Sequence, residues 1–491
     1  MKKLFAPGMI ACALLATTTA FGQEEEKKEE KKPIEVKSLK EAYKGTYLIG
    51  TAQDFPRGFS EAELANAIFH YDIVTPENCM KPQPTHPSED TYNFTTPDAL
   101  VEWATENGLK VWGHTLLWHS QTGQWFFQDT TAATTNAATT AAAAPTERPA
   151  RRERPAGAAG ERPARPEGAP AGAPAGGFPG FGGGAPAGAP GERPARPEGA
   201  PAGAPGERPA RPEGAPAGAP PAGFGGGNFG GFGGGGFGGF GGGFGGGNAG
   251  PQASKEVILE RLEKHIKTVV GRYKGKIIGW DVANESIADN GDWTTENLRK
   301  SSWYTAVGPE VLTLAFKWAH EADPDAILYY NDYNIEQGAS KNTGKHAASL
   351  ILLKRLIAEG APIHGVGIQG HWHLDTNLED VDKAIENYGK LGLRVSITEL
   401  DVTSTGDNSG AFNVNGGGGG IPPENYEKQA EIYTKLFEIF NKHSDVIERV
   451  TFWGISDTRS WRRGQDALLF TGDLEPKPAF KAVLDAAPKK N

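Results

Sequence analysis

The sequence has only two cysteines, Cys12 and Cys79, in 491 residues. That excludes a disulfide scaffold and a cysteine-rich metal site. A basic excess is also missing: 60 Asp and Glu stand against 50 Lys and Arg, for a net charge of −10. Nucleic-acid readers need a basic face, so no nucleic-acid partner is expected. No apolar run is long enough to span a bilayer. The stretch Leu4–Ala16, behind Lys2 and Lys3, has the length of a signal-peptide apolar region instead. Residues 1–22 therefore read as a secretory signal, cut after Ala20 or Gly22, and the product as secreted, extracellular or periplasmic, with surface attachment left open. A lipoprotein would use Cys12, but the apolar run before it is short and broken by Pro7. Residues 23–37 follow as a charged, solvated linker.

What the chain has in excess is glycine and proline. Of 67 Gly and 36 Pro, 36 and 20 lie between Thr130 and Gln252. The unit GERPARPEGAPAGAP recurs at 160–174, 191–205 and 206–220, and a Phe/Gly tract follows to Gly247. This unit has no apolar stripe to stack into a solenoid, and its Gly does not fall at every third residue as in collagen. Residues 130–252 are expected to be a low-complexity, disordered insertion. It divides one globular body into 38–129 and 253–491, roughly 340 residues, enough for one large core.

Within that body short apolar runs alternate with amphipathic ones. Candidate strands are Leu48–Gln53, Ile73–Asn78, Lys110–His119, Ile277–Glu285, Ile327–Asn334, Gly365–His373, Arg394–Val402 and Val450–Asp457. Several lack period-2 alternation, as parallel strands covered on both faces do. Candidate helices are Ala99–Asn107, Lys255–Lys274, Pro309–Ala322, Lys345–Glu359, Glu379–Leu391, Glu424–His443 and Pro478–Ala486. This order predicts an α/β fold, a (β/α)8 barrel interrupted after its third strand. A doubly wound open sheet competes, but no G-x-G-x-x-G follows the first strand.

Polar residues gather at the strand ends, where barrel active sites lie. They include Glu77 and Asn78, His114 and Trp118, Asn284 and Glu285, Asn331 and Asp332, Gln369 and His371, Glu399 and Asp401, and Trp453. In a closed eight-strand barrel, strands four and seven, which carry Glu285 and Glu399, are expected to sit nearly across the mouth from each other. Two carboxyl groups flanking a sugar-sized gap are the machinery of glycoside hydrolysis. His371 can hydrogen-bond Glu399, and Asp401, two residues on, faces the same side and can orient that histidine. His371-x-His373 also resembles the H-x-H of barrel metallohydrolases, but no third ligand stands at a matching spacing, so no metal and no cofactor are expected.

The segments TPENCMK (75–81), VWGHTLLWH (111–119), WDVANE (280–285), YYNDYN (329–334), GIQGHWH (367–373), ITELD (397–401) and FWGISD (452–457) resemble the signature strands of glycoside hydrolase family 10. The resemblance covers about 45–130 and 253–487. It implies a retaining endo-β-1,4-xylanase, with Glu285 as acid/base and Glu399 as nucleophile. It also implies sugar contacts from Glu77, Asn78, Lys81, His114, Trp118, Asn284, Tyr333, Gln369, His371, Trp453 and Trp461, supported by Asp401. The implied partners are xylan and xylo-oligosaccharides, and the expected state is a monomer. Pro82 and Gly123 depart from the family pattern, as does the long insertion. Two other readings remain: a cellulase or mannanase, and a silent glycan-binding protein. The intact carboxyl pair speaks against the latter.

Overall fold

A computed structural model describes residues 37–129, 252–405 and 421–489. The expected signal peptide, most of the charged linker and nearly all of the insertion lie outside these residues. Eight parallel strands form the barrel: β1 (Leu48–Ala52), β2 (Ile73–Thr75), β3 (Lys110–Trp118), β4 (Gly279–Asn284), β5 (Ile327–Asp332), β6 (Gly365–Ile368), β7 (Arg394–Val402) and β8 (Ile447–Phe452). Pairing of β1 with β8, from Leu48 opposite Arg449 to Thr51 opposite Phe452, closes the sheet on itself. Each strand is followed by a helix: α1 (Glu61–His70), α2 (Thr95–Glu106), α3 (Lys255–Arg272), α4 (Glu310–Ala322), α5 (Gly344–Ala358), α6 (Leu378–Gly389), α7 (Pro423–Lys442) and α8 (Pro478–Asp485). The expected (β/α)8 barrel is the fold.

The strands are buried on both faces. Their outer residues pack with the inner stripe of each helix, such as Ile258, Leu262, Ile266 and Val269 of α3, into one continuous core. Inside the barrel Ile73, Trp112 and Tyr329 form a second apolar cluster. Glycines make room for the indoles: a Cβ on Gly279 would stand 2.4 Å from the Trp112 ring.

Several sequence expectations need adjustment. Helix α1 is not among the candidates, because its apolar residues form no sharp inner stripe: of the ten only Ala67 and His70 are buried. It is fixed by a local device instead: Ser60 Oγ accepts from Glu63 N and Ser60 N donates to Glu63 Oε2, a capping box. The sixth strand does not run unbroken from 365 to 373. Gly370, at φ +80°, breaks it, and a two-residue strand, His371–Trp372, resumes beside Asp401 and Val402. β8 begins at Ile447 and ends at Phe452, so Trp453 lies just beyond it. Asn78, Glu285 and Asn334 likewise fall past their strands.

The two chain ends that bound the insertion meet. Gln128 and Gln252 form an antiparallel bridge, and Ala253 N donates to Phe127 O at 2.9 Å. Arg261 of α3 clamps this neck. Its Nη1 donates to the carbonyls of Trp125, Phe126 and Gln128, and its Nε and Nη2 to Glu89. The barrel is thus tied shut on its own side of the insertion. Replacing 130–251 by a short Gly/Ser loop should leave the fold intact and the melting temperature unchanged or slightly raised. Loop-closure entropy changes by only about 2–3 kcal/mol, in the stabilising direction. Calorimetry of the excised protein checks this; failure to fold would refute it.

Candidate active site

Glu399 lies in β7. Its Oε1 accepts from Asn331 Nδ2 at 2.8 Å and its Oε2 lies 3.2 Å from His371 Nε2. His371 Nδ1 lies 3.0 Å from Asp401 Oδ2. Strand alternation puts Glu399 and Asp401 on one side, so a single imidazole bridges them. Asp401 also receives Trp461 Nε1 at 2.9 Å and pairs with Arg462 Nε at 2.8 Å. Burial opposes a charge on His371, but Asp401 and Glu399 outweigh it and push its pKa up to about 9. Burial would likewise favour the neutral form of Glu399. The hydrogen bonds from His371 and Asn331 and the nearby imidazoles overcome it and hold the carboxyl below its usual range.

Glu285 is the first residue after β4 and adopts φ +56°, a region that non-glycine residues occupy at a cost. Two backbone bonds hold it there: Glu285 N donates to Asn331 O at 2.9 Å, and Arg299 Nε donates to Glu285 O at 3.2 Å. The turn swings its carboxyl into the mouth, where Oε2 accepts from Trp118 Nε1 at 2.9 Å and Oε1 from Gln369 Nε2 at 3.1 Å. His119 stands 3.9 Å from the same carboxyl. Burial pushes its pKa down to about 4, so this ring is uncharged at neutral pH.

Amides join the two carboxyl groups. Asn331 Nδ2 donates to Glu399 and also to Asn284 Oδ1 at 2.9 Å, and Gln369 Nε2 lies 3.3 Å from Asn284 Oδ1 while bonding Glu285. Thr398 Oγ1 fixes the Asn331 amide from the other side at 2.6 Å. Gly367 leaves the space: a Cβ there would stand 2.3 Å from Asn331 Oδ1.

The other expected residues surround this pair. Lys81 is buried; its Nζ donates to Asn78 Oδ1 at 3.0 Å and stands 4.9 Å from the Trp118 ring centre. Burial lowers its pKa, while Glu399, Glu77 and Glu285 pull it back up, so one ammonium serves three carboxyl groups. Burial, with Asp54 nearby, pushes Glu77 up to about 7. The Trp453 ring lies edge-on to His114 and His371, at 5.4 and 6.5 Å, and Trp461 lies 5.0 Å from His371. Tyr333 belongs to a neighbouring polar cluster: its hydroxyl bonds Asp289 and accepts from Arg299, and Lys345 Nζ stands 3.5 Å from its ring centre. His373 turns away to Asp375. Among the described residues no group of three or more His, Cys, Asp or Glu could hold a metal ion.

Residues 38–144 and 247–486 match glycosyl hydrolase family 10. The chain belongs to that family. Over 465 residues it is 31% identical to a β-1,4-xylanase of Dictyoglomus thermophilum, covering 92% of each chain. Over 460 residues it is 29% identical to endo-1,4-β-xylanase A of Thermoanaerobacterium saccharolyticum, covering 92% of this chain but only 28% of that longer protein. It also resembles the crystal structure of an intracellular xylanase from T. saccharolyticum, a mutant with one glutamate replaced by alanine, in complex with xylotriose. The TM-score is 0.61 at 27% identity, over 92% of this chain and 99% of the other.

The site of this family 10 hydrolase contains residues that sequence reasoning left out. In the sequence Asn331 stands out only as one polar strand end. Its role depends on the register that sets it beside Asn284. Arg462 and Arg299 lie outside every signature segment, so no motif points to them.

The imidazole bridge also predicts a pH signature. His371, with its pKa raised, contributes stability that is fully present below the unfolded histidine value of about 6.5 and is lost as pH rises through about 9. Glu399 and Asp401, both lowered, contribute stability that is lost as pH falls through their folded values. Melting temperature should therefore decline between about pH 6.5 and 9. In His371→Asn that alkaline slope should flatten; an unchanged slope would exclude the bridge as its source.

Proposed function

We propose that this family 10 hydrolase is an endo-1,4-β-xylanase that cleaves internal bonds of xylan with retention of configuration, and that it is exported. The observation that carries the reading is the shared amide cluster with Glu399 at one end, paired to a cationic imidazole, and Glu285 at the other, held by an indole and an amide. Glu399, ionised, attacks the anomeric carbon as the glycosidic C–O bond breaks, and Glu285 gives its proton to the departing oxygen. Water then attacks the same carbon, Glu285 takes its proton, and Glu399 leaves. Two steps on opposite faces of one carbon restore its configuration.

The sugar-facing groups suit this work. Lys81, Asn78, Gln369 and Asn284 offer donors and acceptors to hydroxyls, and the Trp453 and Trp461 indoles offer faces to a pyranose ring. The xylan preference draws support from the xylanase relatives and from the xylotriose complex of the structural neighbour. That neighbour is an intracellular enzyme, so export rests on the leader sequence alone. Among the described residues no helix is long and apolar enough to cross a membrane.

The test is product analysis on purified xylan, cellulose and mannan. Xylan should yield a ladder of xylo-oligosaccharides, with the β-anomer appearing first by NMR. Release from cellulose or mannan alone would move the assignment to another β-glycanase. First appearance of the α-anomer would replace retention by inversion.

A further inference from the structure

Beneath the cleft, inside the barrel, lies an arginine. Arg449 on β8 is 1% exposed, and its guanidinium carbon stands 3.8 Å from the centre of the Trp112 ring. Barrel interiors are mostly filled by branched apolar side chains, and a buried charge is costly unless it is paired. Yet Arg449 Nε and Nη2 make no hydrogen bond among the described residues, and Nη1 reaches only Thr451 Oγ1, at 3.4 Å. What the guanidinium faces is a carboxylate: Nη2 stands 3.6 Å from Asp281 Oδ1. Asp281, on β4, is itself 1% exposed. Its Oδ1 accepts from Trp112 Nε1 at 2.9 Å, and its Oδ2 lies 3.0 Å from His114 Nδ1.

The three groups form a column from the barrel interior to the cleft wall: guanidinium, carboxylate, imidazole. A carboxylate accepts and does not donate, so His114 turns a protonated Nδ1 toward Asp281 and its Nε2 away from it. We propose that Arg449 is a positioning residue for the hydrolytic reaction. It supplies the counter-charge of Asp281 from below and so fixes the carboxylate that orients the His114 ring toward a sugar hydroxyl. This rests on the glycan-hydrolase reading of the cleft. Without Arg449, the Trp112 indole and the His114 ring are left to hold a buried carboxylate that has lost its counter-charge, and the ring is free to shift with it.

Arg449→Met keeps the side-chain length and an apolar contact to Trp112 while removing the charge. On aryl xylobiosides its kcat/KM should fall about tenfold, the worth of one hydrogen bond to a sugar hydroxyl. The same comparison is then run on analogues lacking one glycone hydroxyl each. On one of them the penalty should vanish, because the wild type has already lost that contact. Arg449→Lys should recover most of the activity. A penalty equal on every analogue would mean that Arg449 only fills space, and would overturn the proposal; so would no penalty at all. If Arg449→Met does not fold, 15N NMR of the His114 ring in the wild type decides without substrate. A protonated Nδ1 is expected, and a ring protonated at Nε2 alone overturns the column. Because that measurement needs no turnover, an enzyme inactive on xylan would sink the functional reading and leave this one separately tested.

Discussion

Glu399→Ala should reduce turnover by at least roughly 10⁴-fold on natural and activated substrates alike, a loss of the size seen when a nucleophile is removed outright. The reason is positional. Glu399 is the carboxyl held ionised by His371 and Asn331. Across the mouth Glu285 is held by an indole and an amide instead, and the covalent intermediate needs the Glu399 oxygen. The deletion also leaves a cavity of small-anion size beside the cationic His371. Azide should enter it and attack an activated aryl xyloside from the nucleophile's face, giving the inverted α-glycosyl azide in a single displacement. Kinetics with and without azide, and NMR of the product, check both parts. Near wild-type turnover of the alanine variant would remove Glu399 from the nucleophile's role.

How much of this site could be read from the sequence depends on how far each residue's place is set locally. Glu399 and Asp401 were legible because both lie in one strand, where a separation of two sets a shared face, and they keep it despite the register shift between Ile397 and Leu400. Glu285 was legible as a residue but not as a conformation. Strict alternation would send Asn284 and Glu285 to opposite sides, and both reach the same cluster only because the chain turns to φ +56° at Glu285. The register slips between His114 and Leu117 and between Asp281 and Ala283 add to this, since each breaks the period-2 pattern along β3 and β4. Asn331 and Arg449 show a further limit. Asn331 acts on a neighbouring strand and Arg449 across the barrel, each on a residue more than 45 positions away in sequence, and no local pattern marks an arginine near the start of a strand as facing inward. The strands themselves were legible from their apolar runs. The missed helix α1 could have been found from its Ser60 and Glu63 cap, because a cap is a local device even where amphipathicity is weak.

Glu285→Ala should behave quite differently from the nucleophile variant. A general acid matters in proportion to the basicity of the oxygen it protonates. On xylan or xylo-oligosaccharides, whose leaving group is a sugar hydroxyl, the loss should be about 10²–10⁴-fold. On a dinitrophenyl xyloside, whose leaving oxygen is already a weak base, bond cleavage should stay close to the wild-type rate. Removing Glu285 also removes the base that activates water for the second step, so the covalent intermediate on Glu399 should accumulate. That produces a rapid burst of dinitrophenol followed by slow turnover, with a lowered KM. Azide needs no base, and should attack the intermediate from the face Glu285 has vacated, accelerating turnover and giving the retained β-glycosyl azide. The two alanine variants thus yield azides of opposite configuration. Trp118 and Gln369, which hold the Glu285 carboxyl in the wild type, lie on the same side as that azide. Equal losses on good and poor leaving groups, or an α-azide from this variant, would remove Glu285 from the acid/base role while leaving Glu399 untouched.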